Sequence, residues 1–91
     1  MTSEKYRRSN DALFSSIGND IVALHVHNGH CYGMENVTAH VWNLLGEPAD
    51  IPGICDRLLE IYEVEPATCR SEVERLIMQF RSEGLIEAVP A

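Results

Sequence analysis

Histidine and cysteine side chains are concentrated in one stretch of the chain, "HVHNGHCYGMEN", which spans residues 25–36. These residue types bind zinc, but a zinc site needs three or four converging ligands, usually in closely spaced pairs. His25 and His27 have the spacing of one such pair, and no second pair follows them in the sequence. We therefore expect no metal site in this stretch.

Nucleophilic catalysis is a second chemistry that this stretch suggests, because Cys31 directly follows His30. Adjacent side chains on a strand point to opposite faces, so these two cannot act together as nucleophile and base. The sequence also lacks a GxSxG motif, an HExxH motif and a glycine-rich phosphate-binding loop. We expect a protein with no catalytic residues and no cofactor.

The charge of the chain bears on its partners. Its 91 residues have the size of a single domain and carry 14 acidic against 7 basic side chains, a net charge of −7. Nucleic-acid binding requires cations that neutralise phosphate, so this charge favours a neutral or basic partner instead. The sequence has no apolar run of about 18 residues and no signal stretch, which predicts a cytoplasmic protein without a membrane segment. We expect its three cysteines to be reduced and to serve as small apolar residues.

Alternation of apolar residues predicts two or three strands near the N-terminus. Residues 12–17 are a candidate strand, and residues 20–27 alternate with a period of two. The Asn28-Gly29 pair then predicts a hairpin turn into a further strand.

The length of the hairpin loop decides which side chains share a face. A three-residue loop places Leu24 opposite Tyr32 and Val22 opposite Met34, which gathers the large apolar side chains on one face. We predict that this face joins the core. The outer face then carries His25, His27, Cys31 and Gly33.

Three helices follow in the sequence. The first, "ENVTAHVWNLL", has Asn36 as its predicted N-cap, and the second begins near Asp50 and Pro52. The longest, "EPATCRSEVERLIMQFRSEG", ends at Gly84. Residues 85–89, "LIEAV", fit either a short last strand or a tail on the core.

These elements predict an α+β domain in which a three-stranded antiparallel sheet is followed by three helices, in the order β-β-β-α-α-α. Residues 1–10 are polar and are predicted to be a flexible N-terminal tail, and residues 11–91 are predicted to be the single domain. The expected core consists of Leu24, Tyr32, Met34, Val41, Trp42, Leu58, Val73, Leu76 and Phe80.

The stretch "DIVALHVHNGHCYGMENVTAHVWNLL", followed by two helices that end in "FRSEGLIE", resembles the PqqD-like proteins. These are recognition elements for the leader segments of ribosomally made, modified peptides. The likeness covers roughly residues 12–88 and is greatest to the stand-alone members from lasso-peptide pathways. It implies a winged helix-turn-helix-like fold and a non-catalytic adaptor that presents the leader to maturation enzymes. The implied partners are the precursor leader peptide, a leader-removing cysteine protease and a macrolactam cyclase.

The resemblance also implies where the leader binds, which is the groove between the third strand and the third helix. The strand residues of this predicted site are His30, Cys31, Tyr32, Gly33 and Met34. Without Pro or Lys, such an edge strand can pair with another chain, and Gly33 leaves room for its backbone. The alternative is an ordinary edge that the N-terminal tail covers.

The helix residues of the predicted site lie beside the core stripe of the third helix. They combine apolar side chains with two arginines that suit a carboxylate, and they are Arg70, Val73, Glu74, Ile77, Met78 and Arg81. A solvated face with pairs such as Arg70–Glu74 is the alternative interpretation of the polar members.

Two other functions remain open at this point. A winged-helix regulator would bind DNA, but the second helix offers only Arg57 among acidic residues. A general protein–protein interaction module would use the same edge strand, for a partner other than a leader peptide or for dimerisation.

Overall fold

The computed structural model describes residues 4–90, which form six strands and three helices. The strands are β1 (Lys5–Arg8), β2 (Ala12–Ile17), β3 (Asp20–His25), β4 (Cys31–Met34), β5 (Ala49–Asp50) and β6 (Ile86–Val89). The helices are α1 (Asn36–Leu44), α2 (Ile51–Leu59) and α3 (Pro66–Ser82). Among them, no helix has both the length and the apolar character needed to cross a membrane.

The strands form two antiparallel sheets, with the orders β2-β3-β4 and β5-β1-β6. The predicted α+β class and the three-stranded meander before the helices are confirmed. The predicted order β-β-β-α-α-α is wrong, because it omits the second sheet. That sheet joins the two ends of the chain to the segment between α1 and α2, a long-range pairing that local sequence patterns do not report.

The N-terminal segment differs most from its prediction. The sequence predicted no strand in the first ten residues, whereas β1 is the central strand of the second sheet and pairs with β6 over all four of its residues. The guanidinium carbon of Arg8 lies 4.4 Å from the centre of the Phe14 ring and 5.7 Å from that of Trp42. Burial of this guanidinium lowers the pKa of Arg8.

The hairpin between β3 and β4 has a different register from the predicted one. Ala23 pairs with Tyr32 and Leu24 with Cys31, and the amide of His25 donates to the carbonyl of His30 at 3.1 Å. Residues 26–29 therefore form a four-residue loop, closed where the amide of His30 donates to Oδ1 of Asn28 at 2.8 Å. The three-residue loop is wrong because this side-chain bond holds a longer turn.

The shift in register reverses the faces of β3. Ile21 and Ala23 are buried, whereas Val22 is 39 % exposed and Leu24 is half-buried, so the predicted inner face is wrong. The large side chain above Ala23 comes from its partner across the sheet, Phe14, whose ring packs on Trp42 at 5.7 Å.

His25 was predicted on the outer face and is instead half-buried on the inner one. Its Nε2 lies only 3.0 Å from the place that a Cβ on Gly84 would occupy. Together with the positive φ of 74° at Gly84, this close approach explains why the second residue after α3 is glycine.

The helices cover the inner face of the β2-β3-β4 sheet. Trp42 of α1 is at the centre of the core, with its ring 5.6 Å from that of Phe80 in α3. The predicted cap of α1 is off by one residue, because the N-cap is Glu35 and Asn36 is the first helical residue, at a φ of 51°.

The ends of α2 and α3 agree with the sequence signals. The side chain of Asp50 caps α2 by accepting from the amide of Gly53 at 2.8 Å. Helix α3 begins at Pro66 and ends in a Schellman motif, in which the amide of Leu85 donates to the carbonyl of Phe80 at 2.9 Å. The motif turns the chain directly into β6.

Candidate functional site

Strand β4 is an edge of its sheet within the part of the chain that the structure describes. It pairs with β3 on one side, and no other described strand pairs with it. Hydrogen-bonded and non-bonded pairs alternate along an antiparallel ladder, and His25–His30 is a bonded pair. Cys31 and Gly33 therefore belong to the non-bonded pairs. Their amide and carbonyl groups point away from β3, toward the open edge.

Gly33 leaves free space at the middle of this edge. A Cβ added there meets no atom of the described chain within 4 Å, so the packing of the domain does not require glycine. The absence of a side chain at Gly33 therefore matters only for a molecule that approaches the strand from solvent. Glycine in a strand often marks a place where the backbone of another chain comes close.

A groove of about 390 Å³ runs between β4 and α3. Its floor is apolar and is formed by the buried side chains of Met34, Leu76, Phe80 and Leu85. Its polar wall consists of Arg75 and Gln79 of α3 and of Glu83, the C-cap residue of this helix. These three residues are spaced by four positions along one side. The remaining lining residues are Cys31, Tyr32, Gly33 and Thr38.

A hydrogen bond joins strand and helix at one end of the groove. The phenol of Tyr32 donates to Oε2 of Glu83 at 2.7 Å, and its oxygen lies 3.4 Å from Nδ1 of His30. The bond to Glu83 raises the pKa of Tyr32, because only the neutral phenol can donate this hydrogen bond to the carboxylate. The bond fixes the width of the groove at this end.

Arg75, another polar residue of the wall, belongs to an ion pair. Nη2 of Arg75 lies 2.8 Å from Oε2 of Glu72, and both side chains are more than half exposed. This pair neutralises the one cation among the described residues that line the groove.

A smaller apolar cavity of about 90 Å³ lies on the same side of α3, toward its N-terminus. It is lined by Val37, Leu58, Tyr62, Val64, Thr68, Cys69, Glu72 and Val73. Glu72 borders this cavity and pairs with Arg75 of the groove, so the two depressions are neighbours along the helix.

The structure places the predicted strand residues along the groove. Cys31, Tyr32, Gly33 and Met34 line it, and His30 lies just outside the lining, next to the phenol of Tyr32. That a bound peptide contacts these five residues remains a prediction.

The predicted helix residues do not line the groove. Val73 and Ile77 are buried in the core, and Met78 is 73 % exposed on another side of α3. Arg70 pairs with Glu74 at 3.4 Å, and Arg81 pairs with Glu4 at 3.3 Å. The predicted wall is therefore not the one that lines this groove.

The difference between the predicted wall and the lining of the groove has a simple geometric origin. The core stripe of a helix has two flanks, and the spacing of residues does not say which flank faces the strand edge. The flank that the structure brings to β4 carries Arg75, Gln79 and Glu83. Their four-residue spacing was the available signal, but the same spacing also exists on the other flank, in Arg70 and Glu74.

The histidine-rich hairpin does not assemble a metal site among residues 4–90. No group of three or more His, Cys, Asp or Glu side chains there is arranged to hold an ion. His27 instead lies with its Nε2 3.3 Å from Oδ1 of Asp11, and Nδ1 of His25 accepts from the amide of His27 at 3.3 Å.

Comparison with known proteins gives a family match and two similar structures. The family model described as "Coenzyme PQQ synthesis protein D (PqqD)" matches residues 20–86, more than half of the chain. The solved structure "TbiB1 in Complex with the TbiA(beta) Leader Peptide" is 22% identical with a TM-score of 0.85, and the match covers 93% of this chain and 99% of that one. "Lasso peptide synthetase B1 complexed with the leader peptide" is 18% identical with a TM-score of 0.79, over 93% and 98%. At these identities the two structures show a shared fold, and no curated protein sequence matches the chain.

Proposed function

The chain belongs to the PqqD family, and we propose that it is a non-catalytic adaptor that binds the leader segment of a ribosomally made precursor peptide. Two solved structures of the same fold were determined with leader peptides bound, and one of them is a lasso peptide synthetase component. Their likeness supports assigning this chain to lasso-type peptide maturation. The observation that carries the proposal is the open edge of β4 beside the apolar groove.

The leader binds by adding a strand to the sheet. Its backbone pairs with the outward amide and carbonyl groups of Cys31 and Gly33, which lack partners in the described chain. Such main-chain bonds hold a guest of almost any sequence. Gly33 lets the guest backbone come close at the centre of the strand.

Selectivity comes from the side chains of the leader. Alternate residues of an added strand point to opposite faces, so every second leader residue enters the groove. The floor of Met34, Leu76 and Phe80 accepts apolar groups there. The adjacent apolar cavity beside Tyr62 and Val64 offers a second place for an apolar side chain farther along the leader.

The consequence of binding is an increase in local concentration. A domain that holds the leader and also contacts a leader-removing cysteine protease or a macrolactam cyclase makes the encounter of enzyme and precursor intramolecular. We propose these two enzymes as the downstream partners. Neither requires a catalytic group from this chain.

Backbone NMR tests the proposal directly. We expect titration with the TbiA(beta) leader peptide, which is bound in a solved structure of the same fold, to shift the amide signals of Cys31 and Gly33 most strongly, because the new hydrogen bonds form there. Shifts confined to other regions, or saturation without any shift in β4, would contradict strand addition.

Substitution of Gly33 gives a matched pair of variants. Gly33→Pro removes an amide that points outward and is not part of the β3–β4 ladder, so we expect the domain to fold and leader affinity to fall roughly ten-fold or more. Gly33→Ala keeps this amide, and we expect its affinity to stay within about three-fold of the original. Fluorescence anisotropy with a labelled leader measures both. Equal affinities for the two variants would remove the β4 edge from the site.

A further inference from the structure

Glu83 has an unusual place among the acidic residues of the chain. It is the only carboxylate among the described residues that line the groove, and it is half-buried. No nitrogen of Lys, Arg or His lies within 4.0 Å of it in residues 4–90, although Glu72 and Glu74 on the same helix both have arginine partners. The one hydrogen bond of its carboxylate comes from a neutral group, the phenol of Tyr32.

The wall of the groove has a spacing that matches an added strand. Arg75, Gln79 and Glu83 follow one another at four-residue intervals, which on a helix corresponds to about 6 Å. Residues that point to the same face of a strand are about 6.6–6.8 Å apart. Successive inward side chains of a guest strand therefore meet these three wall residues in turn.

Tyr32 determines which guest residue meets Glu83. Residues directly opposite each other on paired strands point to the same face, and Tyr32 points into the groove. The guest residue opposite Tyr32 therefore enters at the end of the groove where the phenol meets the Glu83 carboxylate at 2.7 Å.

We propose that Glu83 selects leader peptides that carry Lys or Arg at the inward position opposite Tyr32. This inference rests on the proposed function, because it requires a guest strand along β4. A guest strand removes water from the groove, and a carboxylate that loses water needs a charged donor in exchange. Arg75 cannot supply this donor, since its guanidinium is already paired with Glu72, at the end of the wall away from Glu83.

The charge of the whole chain acts in the same direction. With a net charge of −7, the domain attracts a cationic side chain before contact and repels an anionic one. Near Glu83, the titratable groups of the adjoining strand are Tyr32 and His30, and His30 contacts the phenol at 3.4 Å rather than the carboxylate.

A selection from a random peptide library tests this preference without knowledge of the natural leader. Random 15-residue peptides are displayed and selected for binding to three proteins, namely the original chain, Glu83→Gln and Glu74→Gln. Glutamine at position 83 keeps an oxygen that accepts from Tyr32 and removes only the charge. Glu74 is the matched control, because it is an exposed glutamate outside the groove lining of α3.

We expect the original chain and Glu74→Gln to enrich Lys or Arg at one fixed position, and Glu83→Gln to lose this enrichment. A selected basic peptide should bind Glu83→Gln roughly ten-fold or more weakly, and Glu83→Lys should prefer Asp or Glu at the same position. Persistence of the basic preference in Glu83→Gln, or its absence from the original chain, would overturn the inference.

The same peptides separate this inference from the proposed function. If selected peptides require the amide of Gly33 but show no basic preference, strand addition stands and the role of Glu83 fails. If they bind Gly33→Pro as tightly as the original chain, the edge strand is not the site, and both proposals fail.

Discussion

At the scale of single residues, the three cysteines show how position changes the chemistry of one residue type. Cys55 and Cys69 are buried between α2 and α3, as expected of small apolar residues, whereas Cys31 is exposed on the open edge strand. Burial, and then the nearby thiol of Cys69, raise the pKa of Cys55 to about 11. Since the thiolate is the reactive form, Cys55 is protected both by burial and by its pKa.

Thiol labelling measures this difference. At pH 7.5 we expect iodoacetamide to modify the folded protein once and quickly, at Cys31, and to modify all three cysteines in concentrated urea. Mass spectrometry counts the additions, and Cys31→Ser should abolish the fast one. A second fast addition in that variant would show that α2 and α3 separate readily.

Cys55 also gives the folded state a dependence on pH. Because its pKa is raised on folding, the protein gains stability from the neutral thiol below the pKa of the unfolded chain, near 9, and loses it as the pH rises toward about 11. The loss occurs in alkaline solution, so near neutral pH the contribution of this thiol is fully present and does not change with pH.

At the scale of secondary-structure elements, α3 lines the groove with one of its flanks. Its core stripe is buried as the sequence predicts, with Val73, Leu76 and Phe80 all less than 5 % exposed. One flank carries Gln79 into the groove, and the other side exposes Met78 to solvent. The two residues are adjacent in sequence and differ in what they face.

Tryptophan substitutions at these two exposed positions distinguish the flanks. We expect Gln79→Trp to fill the groove and weaken leader binding roughly ten-fold or more, a loss typical of a blocked contact at the centre of an interface. Met78→Trp should leave affinity within about two-fold of the original, because its side chain is 73 % exposed and outside the groove. Isothermal titration calorimetry measures both. The opposite ranking would restore the helix wall that the sequence predicted.

At the scale of the whole molecule, β1 connects parts of the fold that are distant in sequence. It pairs with β5, between α1 and α2, and with β6, after α3. Its last residue, Arg8, covers the aromatic rings of Phe14 and Trp42, and Gly46 gives it space, because a Cβ there would lie 2.5 Å from the guanidinium. The N-terminal segment thus forms part of the domain over Lys5–Arg8.

Neighbouring arginines of β1 test this docking. Arg8→Ala should lower the free energy of unfolding by about 1–2 kcal/mol, since it removes a cation from two aromatic faces and uncovers apolar surface. Arg7→Ala removes only an exposed ion pair with Glu87 and should cost about 0.5 kcal/mol or less. Urea denaturation followed by circular dichroism compares them. Equal small losses would favour the predicted flexible tail.

Charge distribution over the whole molecule also bears on the DNA-binding alternative. Arg57, the one arginine of α2, lies 3.9 Å from the carboxylate of Glu60. The histidine hairpin brings no Lys or Arg to the neighbouring surface. No observation in the described part of the chain favours nucleic acid, and fold likeness alone does not establish it.

The sequence by itself determined the features that depend on near neighbours. Pro66 and Gly84 marked the ends of α3, Asp50 marked the start of α2, and residues 30–35 contained no Pro or Lys that would block pairing at an edge. These signals are local because helix caps and edge-blocking residues act within a few positions.

The tertiary structure alone decided the features that depend on distant pairing. It set the register of the hairpin, the burial of Ala23 instead of Val22, the docking of β1 and the flank of α3 that meets β4. A one-residue shift exchanges the two faces of a strand, and a helix presents two equivalent flanks beside its core stripe. The periodicity of apolar residues is the same for either face of the strand and for either flank of the helix. Only the packing of strand against helix selects between them.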